Sequence, residues 1–243
     1  MDPCPLILRY PRFPWIFIVR IKNDRKLAEL LSASEARGRG EHPAASGGHD
    51  WQSVSLEALR GGKGGAAPAI AQRRRLQLRI IGIDTALRKT GWGVIEVAGN
   101  TIRAVDCGVV VNPATAPITE CLRHLNQAVH GLIGVYKPDE AAIEGGFYCR
   151  NARTAIVLGT ARGAVLAELA AACLPVYEYA PRRAKQCVTG KGSAAKEQVA
   201  AMVSNILDIR VDNLANDSTD ALALAICHAS SLMNPAASPE KPI

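Results

Sequence analysis

Four carboxylates stand where a chain can gather them. The apolar run "IIGID" ends on Asp84, and "AAIE" ends on Glu144. A third stretch, "NDSTDALALA", puts Asp217 and Asp220 three residues apart at the start of a helical pattern. Residues at i and i+3 share a helix face, so both can point the same way. A charge at the tip of a buried strand costs desolvation unless something pairs with it. For Asp84 that partner is a nearby cation, Arg88 or Lys89, or else a metal or substrate. Acids in a first helical turn also cap the helix and complement its dipole. The apolar "ALALA" after Asp220 favours chemistry there and leaves Asp217 open between the two roles.

Four converging carboxylates repel one another strongly. Hard divalent cations relieve that repulsion. Mg²⁺ takes oxygen ligands, keeps several waters and suits phosphate chemistry. Two such ions about 3.5–4 Å apart can clamp the attacking and leaving oxygens of an in-line phosphoryl displacement.

The elements that must hold these acids are legible in the periodicities. Gln77 to Asp84, Thr90 to Val97 and Thr101 to Val111 read as three strands in meander, the last two joined by a tight turn at Ala98 to Asn100. Ile118 to Tyr136 has a helical period, with Leu122, Leu125, Val129, Leu132 and Ile133 on one face. A short strand ends on Glu144, and Asn151 to Ala172 is an Ala/Leu-rich helix. "LPVYEYA" predicts a fifth strand, and Pro181 opens a short helix, where proline is well placed. "GKGS" at Gly190 to Ser193 breaks the chain before helices over Ala194 to Leu207 and Ser218 to Ser231. The order βββαβαβααα implies an α/β domain, a mixed five-stranded sheet flanked by helices. Strand ends at one edge of such a sheet are where sites gather.

The positive charge is unevenly placed. Of the +7 carried by 243 residues, residues 1–75 hold 13 Lys+Arg against 7 Asp+Glu, a net of +6. Residues 76–243 hold 16 against 15, a net of +1. The front segment is Gly/Ala/Pro/Arg-rich and aperiodic, too poor in patterned apolar surface to offset ordering entropy. It is expected to be a disordered basic extension, with a short helix near Asp24 to Ser34. It is either an arm for nucleic acid or a stretch without a role. Residues 76–233 form the folded domain, and 234–243 a flexible tail.

Seven cysteines are scattered without a CxxC pair or a Cys/His cluster, so free thiols in a reducing cytoplasm are expected. The apolar run "FPWIFIV", Phe13 to Val19, is far short of the roughly 20 residues a spanning helix needs, so no membrane role is expected.

Basic residues in the second half have a pattern of their own. "PRRAKQ" places Arg182, Arg183 and Lys185 in one turn of helix, and "GKGSAAKEQ" adds Lys191 and Lys196. A polyanion would meet such a patch; a solvated helix face is the plainer reading of Arg182 and Arg183. Gly190 and Gly192 either let backbone N–H groups approach a phosphate or simply stop a helix. After Glu144, "GGFYCRN" offers Phe147 and Tyr148 in a chain with only 5% aromatics. An aromatic side chain can stack on an unpaired base, worth roughly 1–3 kcal/mol. Arg150 and Asn151 are candidate phosphate contacts. Arg162 reads as structural or as part of a subunit face. His228 reads as packing, and Trp92 as core.

Taken together, "IIGIDTALRKTGWGV", "KPDEAAIEGGFYCRNARTAIVLGTARGAV", "PVYEYAPRRAKQCVTGKGSAAKEQV" and "NDSTDALALAICHA" resemble the RuvC-type Holliday junction resolvases over about residues 79–231. The resemblance implies an RNase H-like fold, a homodimer and Mg²⁺-dependent cleavage of four-way DNA junctions in bacterial recombination and repair. It implies that Asp84, Glu144, Asp217 and Asp220 hold two Mg²⁺ ions per subunit, with Mn²⁺ able to substitute. It also implies that Lys185 and Lys196 contact phosphate near the active site, and that Phe147 inserts at the junction. A RuvA–RuvB branch-migration complex would be a partner, and the protein would act in the cytoplasm at the nucleoid. Where the family usually has Asp-Pro-Gly after the first strand, this chain has Asp84-Thr85-Ala86.

Two rival readings remain. ATP-dependent kinases and chaperones share the general topology, but they need a second nucleotide-binding lobe for which the residues from Leu76 onward leave no room. A junction-binding protein that has kept the fold without cutting is favoured only by the altered Thr85-Ala86 loop.

Overall fold

The computed structural model describes residues 77–145, 151–209, 215–234 and 241–243, together with the backbone of 7–10 and 13–19. The strands are β1 (Ile7–Tyr10), β2 (Phe13–Val19), β3 (Leu78–Asp84), β4 (Lys89–Ala98), β5 (Thr101–Val111), β6 (Glu140–Glu144) and β7 (Val176–Tyr179). The helices are α1 (Ile118–Tyr136), α2 (Ala152–Ala171), α3 (Pro181–Thr189), α4 (Lys196–Leu207) and α5 (Asn216–Met233).

β3, β4 and β5 form the expected meander, because each alternates or runs apolar between turn residues. The β4–β5 turn places Gly99 at φ 59°, a left-handed conformation that glycine adopts without a Cβ penalty. β6 then pairs parallel to β3, and β7 parallel to β6. A parallel partner needs a crossover, and α1 and α2 supply the two. The strands β3 to β7 therefore make the expected mixed five-stranded sheet, with spatial order β5-β4-β3-β6-β7.

The sheet does not stop at five strands. β1 and β2 pair antiparallel with one another, and β2 pairs with β5 from Ile16 opposite Val110 to Val19 opposite Cys107. Residues 7–10 and 13–19 thus depart from the expected disordered extension. The reason is the run "FPWIFIV", whose β-branched and aromatic residues suit a strand, and an edge at β5 with unpaired backbone groups. The short helix expected near Asp24 to Ser34 lies outside the described residues. The far edge is also engaged. Ile243, expected in a frayed tail, donates its N–H to the Val176 carbonyl of β7 at 3.0 Å.

Helices cover both faces. α5 lies across β3 and β4, itself covered by α3 and α4, so that every residue from Ser218 to Ala229 except the half-buried Asp220 is buried. On the opposite face α1 meets the sheet through Tyr136. Its ring lies 5.5 Å from that of Trp92, and its hydroxyl donates to the buried Asp106 at 2.6 Å. α2 packs on α1, where Glu168 accepts from Asn126 Nδ2 and meets His130. α2 is also the one described helix long and apolar enough to cross a membrane, a measure that packed helices also meet. It buries Ala161, Val165 and Leu169 and leaves Ile156 exposed.

Candidate active site

Asp84 and Glu144 end neighbouring parallel strands at the same height. Ile83 stands opposite Ile143 in the register, so the next residue of each strand is the acid. Side chains alternate across a strand. Glu140, Ala142 and Glu144 therefore share one face of β6, the face on which α5 lies. Two carboxylates side by side at one sheet edge cannot both ionise freely.

α5 brings the other pair, and glycines set how close it comes. A Cβ added at Gly82 would sit 2.0 Å from the Ala221 carbonyl oxygen, and one added at Gly91 would sit 1.9 Å from that of Asp217. Gly91 is the β4 partner of Asp84. The helix backbone thus rests directly on the strands beside the first acid. The N-cap position is Ala215, which makes no side-chain cap bond. Asp217 is therefore not the cap residue of this helix, although it lies in the first turn.

The electrostatics record the convergence. Asp84 is pushed up to about 7, first by burial and then by the charge and hydrogen bond of Glu144, with Asp220 and Asp217 adding to it. Lys196, at the start of α4, donates to Asp220 Oδ2 at 3.2 Å, and its pKa is raised chiefly by that bond. Arg88 does not neutralise Asp84. Its guanidinium reaches the carbonyls of Pro113 and Ala116 and the Cys121 thiol instead. The loop between is closed by Thr90, whose hydroxyl donates to the Ala86 carbonyl at 2.6 Å and accepts from the Ala86 N–H. Thr85, in the departure from the family pattern, buries its hydroxyl with no hydrogen-bond partner among the described residues.

The donor set is all carboxylate and short of positive charge, which fits a hard divalent cation. Among the described residues, no three Asp, Glu, His or Cys side chains close into one coordinating group. The acids are gathered, with Asp84 and Glu144 sharing a hydrogen bond.

The cationic candidates separate. Lys196 is at the acids. Arg182 and Lys185 lie on α3, and Lys191 in the turn after it. Gly190 takes φ 77° and ends α3, which is the helix-stop role. Gly192 leaves room for Arg182, whose Cγ would lie 2.4 Å from an added Cβ. Asn151 caps α2, its Oδ1 accepting from the N–H groups of Arg153 and Thr154. Phe147 and Arg150 lie outside the described residues. Arg162 pairs with Glu178 of β7, in keeping with a structural role.

His228, expected only to pack, does more. His228, buried in α5, lies 2.7 Å through Nε2 from Glu140 and 2.8 Å through Nδ1 from the Tyr179 hydroxyl. This network ties the helix of Asp217 and Asp220 to the strand of Glu144. Its signal was an acid at Glu140, at the start of a buried strand, where a partner is required.

The comparisons with known proteins point one way. Residues 80–228 match the family model "Crossover junction endodeoxyribonuclease RuvC". A protein of that name from Maricaulis maris is 49% identical over 154 residues, covering 63% of this chain and 92% of that one. One from Rhizobium johnstonii is 43% identical over 152 residues, covering 63% and 89%. Among solved structures, Thermus thermophilus RuvC in complex with a Holliday junction substrate matches with a TM-score of 0.63 at 33% identity, over 68% of this chain and 99% of that one.

Proposed function

Since the chain belongs to the crossover junction endodeoxyribonuclease family RuvC, a family of divalent-metal nucleases, we propose that it resolves four-way DNA junctions with the carboxylates of β3, β6 and α5. It is an endonuclease that hydrolyses DNA in recombination and repair. The supporting observation is the register that sets Asp84 beside Glu144, with Asp217 and Asp220 raising the same carboxyl.

Asp84, Glu144, Asp217 and Asp220 would hold two Mg²⁺ ions, or Mn²⁺ in their place. Such ions would supply water activation and charge stabilisation at the leaving 3′-oxygen, chemistry that gives 5′-phosphate ends. Asp84, where the strands meet α5, would be one of the four carboxylate ligands, and Lys196 would hold the scissile phosphate beside Asp220. Arg182, Lys185 and Lys191 contact the backbone of the arms, joined by Arg150 and by the Asn151 amide. Phe147 stacks on an unpaired base at the crossover. A homodimer would set two such sites on opposite strands, and the exposed apolar side of α2 at Ile156 is the face we assign to it. A RuvA–RuvB complex would deliver the junction. The nuclease domain is residues 76–233, to which β1 and β2 add an edge hairpin, and the protein works in the cytoplasm at the nucleoid.

The test is cleavage of an end-labelled mobile four-way junction with Mg²⁺, beside a linear duplex of the same sequence and a Glu144→Gln control. Paired symmetric nicks on the junction alone, lost in the variant, are expected. Tight binding without nicks in Mg²⁺ or Mn²⁺ would overturn the catalytic reading and leave a junction-binding protein.

A further inference from the structure

Outside the acidic site, two thiols face each other across a helix–helix contact. Cys187 is on α3 and Cys227 on α5, and their sulfurs lie 2.9 Å apart. The two helices pack directly together. Cys187 is solvent-exposed, whereas Cys227 is buried. The remaining described cysteines stand apart from this pair: Cys107 and Cys121 are buried, and Cys173 is exposed at the end of α2. A disulfide needs its sulfurs about 2.05 Å apart, so closing the pair asks for a shift of roughly 0.9 Å.

We propose that Cys187 and Cys227 form a redox modification site, an intramolecular disulfide made on exposure to a hydroperoxide and reversed by thiols. The inference is independent of the junction-resolving activity. The two sulfurs have different parts. Cys227 donates its S–H to Cys187, and this bond, followed by the nearby Arg183, draws the Cys187 thiol down to about 6. The thiolate is the nucleophilic form. The exposed sulfur is thus the one charged at neutral pH, and the proton sits on the buried one.

The chemistry balances in two steps. The Cys187 thiolate attacks a peroxide oxygen. An S–O bond forms, the O–O bond breaks, and the alkoxide or hydroxide leaves with a proton from solvent. The Cys227 sulfur then attacks the Cys187 sulfur, loses its own proton and displaces hydroxide, which leaves as water. Two thiols are oxidised, one hydroperoxide is reduced, and one S–S bond remains. Thiol exchange through a mixed disulfide reverses it. In a reducing compartment such a bond is transient, as expected of a sensor.

The staple would join α3, which carries Arg182 and Lys185, to α5, which carries Asp217 and Asp220. The test uses the full chain. It is treated with hydrogen peroxide, unfolded in excess N-ethylmaleimide and digested with trypsin for mass spectrometry. The expected product joins the peptide holding Cys187 to the one holding Cys227, two hydrogens lighter than the sum, and dithiothreitol restores both thiols. Cys187→Ser should leave Cys227 fully alkylated. Cys227→Ala should leave a Cys187 sulfenic acid that dimedone traps. Retention of an alkylatable Cys227 in oxidised wild-type protein, or linkage to Cys173 instead, would overturn the proposal.

Discussion

Gly91 lies against the backbone of Asp217, so closely that a single methyl group at its α-carbon would fall 1.9 Å from the Asp217 carbonyl oxygen. The neighbour is backbone and cannot swing aside. Gly91→Ala must push the start of α5 away from β4, and overpacking of this kind costs about 1–3 kcal/mol. The acids on α5 move with it. We expect a lower urea midpoint and a drop in junction cleavage of at least ~100-fold, because misplacement by about 1 Å can cost that much. Wild-type cleavage by Gly91→Ala would show that the approach is not needed.

Asp84 governs a pH dependence of the metal-free protein. Folded, it keeps its proton up to about 7, whereas its ordinary value is 3.8. The groups facing it are Glu144, Asp217 and Asp220, with Lys196 beyond Asp220. Between those pH values the folded state binds more protons than the unfolded one, so stability falls as pH rises from about 4 to 7. Thermal melts in EDTA across that range should show the fall. Asp84→Asn should flatten it and abolish cleavage while junction binding persists. An unchanged slope in the variant would assign the proton elsewhere.

Lys196 competes with metal for Asp220 and attracts phosphate. Lys196→Met should therefore lower the Mg²⁺ concentration at which the melting temperature rises. The same change should weaken junction binding, reducing the slope of log K against log salt by about 0.9, the contribution of one phosphate contact to duplex DNA. A salt slope equal to wild type would remove Lys196 from the DNA contacts.

The buried Glu140–His228 pair predicts an asymmetry between two variants. His228→Ala removes the contacts to both Glu140 and Tyr179 and hollows a fully buried position, a loss of about 2–5 kcal/mol. Tyr179→Phe removes the hydroxyl that meets His228 Nδ1, a hydrogen bond worth about 1 kcal/mol. Urea denaturation should separate them in that order. Equal losses would mean that the contact between His228 and Glu140 adds nothing to stability.

The sequence alone determined the elements and the chemistry at their ends. α1 and β5 have the bounds their periodicity predicts, and β3, β6 and the start of α5 end or begin on the acids read from "IIGID", "AAIE" and "NDSTD". These signals are local: a period of two or 3.6, a turn residue, a charge where an apolar run stops. Tertiary structure decided what no local pattern carries. Asp217 could have been a cap, but the helix starts from Ala215, and the seating of α5 on Gly82 and Gly91 brings the Asp217 charge within reach of Asp84. Arg88 could have answered Asp84, but its guanidinium donates to the carbonyls of Pro113 and Ala116 instead. His228 read as packing until β6 placed Glu140 beside it. The run at Phe13 to Val19 joined a sheet because β5 offered an unpaired edge. In each case the deciding partner is distant in sequence, and only the register of the sheet and the close seating of α5 bring the two groups within hydrogen-bonding or contact distance.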